Sequence, residues 1–161
     1  MRERKLISIE NTNFIFRTNF SGDPERDRFG SMERRANIKI PDYNQAMDLI
    51  DMGFNVKQTN PKEGEEEGFV PEYFLAVKVN YDTKFPPKIY LVSGDAEPLE
   101  LNQDTVGQLD YCYVINVNVV LNPYTNPVTG RSSLYIRTMY VEQDIADDPF
   151  AHRYVRRRDE E

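Results

Sequence analysis

A mainly β chain, rolled into a small antiparallel barrel of five to seven strands with one or two short helices, is the fold class this sequence predicts. Three observations predict it. Short runs rich in Val, Ile, Tyr and Phe alternate apolar and polar residues with the period of two of a half-buried strand. Ten prolines and eight glycines punctuate those runs, as turns between strands require. Only two stretches read as helix. The 161 residues, 39% hydrophobic and 12% aromatic, are enough for a single core. The expected organisation is one domain over residues 1–143 and a polar tail over residues 144–161, frayed at its end.

The elements follow in order. "KLISIENTNFIFRTNF" (Lys5 to Phe20) reads as one or two opening strands with Phe14, Phe16 and Phe20 on one side and Ile15 and Arg17 on the other. "SGDPERDRFGS" is a charged connection rich in turn residues. In "RRANIKIP", Ala36, Ile38 and Ile40 point inward and Arg35, Asn37 and Lys39 outward until Pro41 ends the strand. Asp42 suits an N-cap for "YNQAMDLIDMG", where Ala46, Leu49 and Ile50 have helical spacing and Gly53 suits the C′ position. "FNVKQTN" is a short strand. "EYFLAVKVNYD" places Tyr73, Leu75, Val77, Val79 and Tyr81 on one face and Phe74, Ala76, Lys78 and Asn80 on the other, and Pro86 and Pro87 close it. "KIYLVSG" is a further strand, and "LNQDTVGQLD" a short helix weakened by Gly107. "YCYVINVNVVLNPY" and "RSSLYIRTMYVEQ" flank the turn-rich "NPYTNPVTG" as a hairpin. In the last strand Leu134, Ile136, Thr138 and Tyr140 share one face, while Tyr135, Arg137, Met139 and Val141 share the other. This order, with a helix in the middle, fits an OB-like barrel.

Charge and chemistry narrow the function. The net charge is −7, but its placement matters more than its sum. The loop "EGEEE" and the segment from Glu142 to Glu161 hold eleven of the 27 acids and four of the 20 bases, so the remaining body carries sixteen of each. A neutral body is compatible with an anionic partner. No apolar run has the length of a membrane span, and the N-terminus has no apolar leader core. The sequence therefore reads as neither secreted nor membrane-spanning. Cys112 is the one cysteine, which excludes an intrachain disulfide, suits a reducing cytosol and reads as a buried small hydrophobe. The one histidine, His152, lies in the polar tail, where it reads as a solvated residue. No phosphate loop, dinucleotide fingerprint or nucleophile elbow is present. The acid pair Asp147 and Asp148 reads as a solvated cluster rather than a metal site. The sequence predicts a binder with no catalytic residues, no metal and no cofactor.

The outward faces suggest what is bound. Single-stranded nucleic acid is held by cations along its phosphates and by rings on which its bases stack. Arg35, Lys39, Lys78, Arg131 and Arg137 supply the cations, and Tyr135 lies two residues from Arg137, about 7 Å along one face. Solubility and β-propensity account for the same residues on an exposed sheet. Tyr124, beside Pro123, reads equally as a turn residue.

The ordered set "RTNFSG", "RRANIKIP", "GFNVK", "PPKIYLV", Leu109 with Asp110, "INVNVVLNPY" and "GRSSLYIRTMYV" resembles a family of bacteriophage single-stranded DNA-binding proteins with an OB-fold, over about Asn11 to Val141. The resemblance implies a non-catalytic protein that coats single strands in phage replication and recombination, in the cytoplasm of the infected bacterium. It also implies phage or host replication proteins as partners, and a homodimer. By motif position and outward phase together, Arg17, Arg35, Lys39, Lys57, Lys78, Tyr124, Tyr135 and Arg137 are the residues that would face DNA. The chain departs from the family at its end, "RYVRRRDEE", where arginines precede three acids, and it has no tryptophan, so stacking falls to Tyr and Phe. The alternative is a phage accessory or anti-defence module whose acidic loop and tail imitate DNA.

Overall fold

The computed structural model describes residues 6–144. Nine strands join one sheet: β1 (Ile7–Thr12), β2 (Phe14–Asn19), β3 (Arg34–Ile40), β4 (Lys57–Gln58), β5 (Tyr73–Val79), β6 (Lys88–Ser93), β7 (Leu99–Leu101), β8 (Val114–Thr125) and β9 (Ser132–Gln143). Helix α1 (Tyr43–Asp51) lies between β3 and β4, and short 3-10 turns span Pro24–Arg26 and Val106–Tyr111. The main path across the sheet is β1-β8-β9-β5-β3-β2, with β4 added to β5, β6 to β9 and β7 to β6. No helix among the described residues is long and apolar enough to cross a membrane. The tail from residue 145, with His152, Asp147 and Asp148, lies outside the described residues.

The mainly β class agrees with the sequence, and three details correct it. The strands number nine among the described residues rather than five to seven, because the opening run breaks at Asn13 and because β4 and β7 are two- and three-residue pieces. The sheet is not wholly antiparallel: β9 pairs in parallel with β5 at one end and with β6 over the rest. A parallel pair needs a long crossover, and the segment from β6 to β8 supplies it between β5 and β9. Finally, no ladder of strand pairs closes the path among the described residues. Its two ends, β1 and β2, are halves of one segment bent at Asn13. Thr12 Oγ1 donates to the Lys39 carbonyl at 2.7 Å, and the Lys39 N–H donates to the Asn13 carbonyl at 3.1 Å. These bonds stitch the edge that the ladder leaves open.

The core explains the alternation. Ile38 of β3, Leu75 and Val77 of β5, Ile89 of β6, Val117 and Leu121 of β8 and Met139 of β9 are among its fully buried side chains. Ala36 and Ile40, and Val79, follow the expected inward phase. In β9 the expected phase fails halfway. Leu121 faces Ile136 but Val120 faces Thr138, which leaves Arg137 as an extra residue in a bulge. Beyond it Met139 and Val141 are buried and Tyr140 turns outward. The opening strand is broken in a similar way. Phe20 is buried with Phe14 against it, ring centroids 5.3 Å apart, but Phe16 has φ +64° and is exposed.

Helix α1 forms as its caps predict. The Asp42 side chain accepts from the Asn44 N–H, and Ala46 and Leu49 are buried, whereas Ile50 is exposed. At the other end the Gly53 N–H bonds the Ile50 carbonyl and the Phe54 N–H the Leu49 carbonyl, with Gly53 at φ +92°. That is the Schellman arrangement, which favours glycine at this position. Gly107 has a different reason. A Cβ there would lie 2.9 Å from the Ser21 Cβ, so the 3-10 turn approaches residues 20–33 only because this position has no side chain. Cys112 is half-buried rather than buried, because it follows that turn at the rim of the core. Its Sγ lies 3.2 Å from the Gln108 carbonyl, and burial pushes its thiol pKa up.

Candidate nucleic-acid interface

The outward residues of the central strands line up in register. Arg35 of β3 faces Lys78 of β5, Lys78 faces Tyr135 of β9, and Tyr135 faces Asn122 of β8. Three strand spacings make this row about 14 Å wide. Two pleat repeats away, Lys39 of β3 and Lys57 of β4 both face Phe74 of β5. Phe74 is buried without belonging to the core cluster, because Phe16 covers it edge-on at a centroid distance of 5.1 Å. The left-handed backbone at Phe16 costs about 1 to 3 kcal/mol and turns its ring onto this outer face.

Carboxylates from the loops meet three of these cations. Lys78 Nζ lies 3.1 Å from Glu33 Oε1, Lys39 Nζ lies 3.0 Å from Glu72 Oε2, and the Arg35 guanidinium pairs with Asp27. Asp27 also accepts the N–H groups of Phe29 and Ser31, each at 2.9 Å. The Ser31 N–H foremost, with Phe29 and Arg35, holds the Asp27 carboxyl below its ordinary pKa against the opposing effect of burial. A second aspartate anchors the base of the same loop. The Asp110 side chain is fully buried and accepts from Thr18 Oγ1 at 2.7 Å, the Phe20 N–H at 2.8 Å and the Ser21 N–H at 3.0 Å, with Arg26 Nε at 3.4 Å. Arg17, Lys57, Arg131 and Arg137 form no ion pair among the described residues.

The far end of the row opens into a cleft of about 1080 Å³ between residues 80–87 and the β8-β9 ribbon. Tyr124 and Tyr135 stand on its ribbon side, ring centroids 6.2 Å apart and edge-on, with Arg137 beside them. Tyr124 belongs to β8 rather than to the turn that follows it.

The structure thus brings Arg35, Lys78 and Tyr135 into one row, Lys39 and Lys57 into a second, and Tyr124, Tyr135 and Arg137 into the cleft. Arg17 stands apart where the register of β2 with β3 shifts. Arg131 stands at the end of the β8-β9 turn, its carbonyl accepting from the Asn126 N–H at 2.8 Å. Sequence reasoning missed Phe16, Lys84, Phe85 and Lys88. The run "TKFPPK" carried a signal for the last three, a ring between lysines stiffened by two prolines. No comparable signal announces the positive φ of Phe16.

Among the described residues no cluster of three or more His, Cys, Asp or Glu side chains is placed to hold a metal ion. A family model described as "Putative phage ssDNA-binding domain" matches residues 1–158. The fold is similar to that of the single-stranded DNA-binding protein from bacteriophage Enc34, with a TM-score of 0.50 and 12% identity over 92% of this chain and 89% of that one. A further solved structure, gp2.5, a single-stranded DNA-binding protein encoded by bacteriophage T7, aligns over 90% of this chain and 97% of its own with a TM-score of 0.40 and 11% identity. No curated protein matches the chain.

Proposed function

Because the chain belongs to the phage single-stranded DNA-binding domain family, we propose that it is a non-catalytic protein that coats unpaired DNA, largely without regard to sequence, in phage replication and recombination. The observation that carries this reading is the register of Arg35, Lys78 and Tyr135 across three strands. Residues set there for solubility alone need not align. A row of two cations and a ring matches what a single strand offers, phosphates for the cations and a base face for the ring.

The strand order supports an OB-like mode of binding. Counted as one bent strand, β1 and β2 join β3, β5, β9 and β8 in a five-stranded circuit. OB barrels bind oligonucleotides on the face of their second and third strands and with flanking loops. Here that face is β3 and β5, and the loops are residues 20–33 and 126–131. Residues 1–143 form the binding body in this reading, and Arg17, Lys39, Lys57, Tyr124, Arg131 and Arg137 extend its site. The cytoplasm of the infected host, phage or host replication proteins and a homodimer complete the proposal. Light scattering tests the last of these.

The deciding experiment is titration of fluorescent oligo-dT at several salt concentrations. Affinity falling linearly on a log–log plot is expected, with a slope of about 0.7 per phosphate contact. Absence of binding at low salt overturns the proposal and favours the acidic mimic.

A further inference from the structure

Strand β9 gives one edge to β8 along its length and divides the other between two partners. β5 meets it at Tyr135 and β6 from Thr138 onward, both in parallel. Between them the chain leaves the sheet as residues 80–87 and returns, so the sheet forks at this point. The bulged residue Arg137 sits at the fork. The cleft described above is the opening that this fork creates.

Its outer wall has an unusual composition. Phe85 is 83% exposed, has no place in the core cluster, and has the Lys84 ammonium 5.9 Å from its ring centroid. The residue before a proline is restricted to extended backbone, and Pro87 is buried. The backbone at Phe85 is therefore confined to the extended region, and its ring projects into solvent. Lys84, Lys88 and Arg137 border the cleft without an ion pair among the described residues, and Glu100 is the acid in its lining. Opposite stand Tyr124 and Tyr135. A lining that combines rings from residues 80–87 and from the β8-β9 ribbon with three cations calls for a ligand that is anionic and flat-faced at once. The cleft, of about 1080 Å³ and open to solvent on one side, is as large as the sites of about 300 to 1000 Å³ that take a drug-sized ligand, which is room for a nucleotide.

We propose that the fork cleft is a second base-binding site, in which unpaired bases stack between Phe85 and the Tyr124 and Tyr135 rings while Lys84, Lys88 and Arg137 meet the adjoining phosphates. It rests on the single-strand reading and deepens it. Tyr135 belongs to both the row and the cleft, so one strand runs continuously from the first into the second. A duplex, whose bases are stacked on one another, cannot enter without unpairing.

The exposed position of Phe85 allows substitution without loss of fold. Oligo-dT of about 16 nucleotides, the upper end of OB site sizes, is titrated against the wild type, Phe85→Ala and Phe85→Trp. Phe85→Ala is expected to weaken binding on the order of 5- to 150-fold, the range of one lost base stack, with an unchanged salt slope. The chain has no tryptophan, so Phe85→Trp reports on the cleft alone, and its fluorescence is expected to be quenched as DNA binds. Met52→Trp, beyond the end of α1, is expected to show no quenching. Wild-type affinity in Phe85→Ala, or an unquenched Phe85→Trp, while the wild-type protein binds with a normal salt slope, overturns the cleft and leaves the row intact. No binding by the wild type overturns the single-strand reading itself.

Discussion

Two loops border the proposed DNA path, and they are held in opposite ways. Residues 20–33 are pinned from both ends: Asp110 gathers two backbone N–H groups, a hydroxyl and a guanidinium at its base, and Asp27 gathers two more N–H groups and Arg35 near its tip. Residues 80–87 have an Asn80 side-chain bond to the Asp82 N–H at 2.9 Å and the buried Pro87. The first loop sets the aim of a cation through buried polar bonds, and the second presents a ring through backbone stiffness. Mutations in the first should therefore be read mainly in stability, and mutations in the second mainly in affinity.

The largest expected effect breaks the pinned loop. Asp110→Ala leaves the Phe20 and Ser21 N–H groups and the Thr18 hydroxyl without their acceptor, and Arg26 without its carboxylate, although its Nε keeps the Thr18 carbonyl at 3.0 Å. Removing one partner of a buried charge costs about 3 to 5 kcal/mol, so denaturant melts should show a loss of that size. A loss under about 1 kcal/mol, the worth of an exposed pair, would mean that water replaces the carboxylate and that this loop is no better anchored than the other.

Next is Tyr135→Ala, which removes the ring shared by row and cleft. A cost of about 1 to 3 kcal/mol in oligo-dT affinity with an unchanged salt slope is expected. Equal affinity in the variant would leave the row as cations only.

Asp27 sharpens the comparison through pH. Its carboxyl is held below its ordinary value in the fold, so the stability it contributes is present above about pH 4, the unfolded value, and is lost as pH falls through the depressed native one. Urea midpoints of the wild type and Asp27→Asn should differ at pH 7 and converge in acid. A difference that stays constant between pH 7 and pH 2 would assign the effect to packing rather than to ionisation.

How much of this was legible in the sequence depends on which physical signal each feature leaves. Period-two burial leaves a strong one, and Ala36, Ile38 and Ile40 in β3 and Leu75, Val77 and Val79 in β5 lie as the pattern requires. Capping chemistry leaves another, at Asp42 and Gly53. Registry between distant strands leaves none. That Lys78 would stand between Arg35 and Tyr135 follows from the parallel meeting of β5 and β9, which depends on the whole crossover. The bulge at Arg137 and the left-handed Phe16 are likewise tertiary. Each reverses an alternation that every local residue supports, and β9 thereby buries Met139 and exposes Tyr140. Nor does the sequence reveal which cations carry an internal carboxylate, since Glu33 and Glu72 meet Lys78 and Lys39 only once the strands are paired.

That last difference gives the smallest and most discriminating effect. Arg137 at the fork has no ion pair among the described residues, whereas Lys78 in the row is held 3.1 Å from Glu33. A phosphate that meets Arg137 adds a contact, while one that meets Lys78 must displace a carboxylate already there. Arg137→Ala should therefore lower the salt slope by about 0.7, the full increment for one phosphate on a single strand, and Lys78→Ala by less. Glu33→Gln removes the competitor without removing the cation. Because both side chains are partly exposed, the pair is worth at most about 1 kcal/mol, so the gain in oligo-dT affinity at low salt should be no more than about fivefold. It should shrink as salt screens the carboxylate it replaces. Unchanged affinity in Glu33→Gln, together with equal slopes in Arg137→Ala and Lys78→Ala, would mean that the row and the fork offer equivalent cations. A loss of affinity would instead make Glu33 a positioning residue that holds Lys78 in register with the strand it binds.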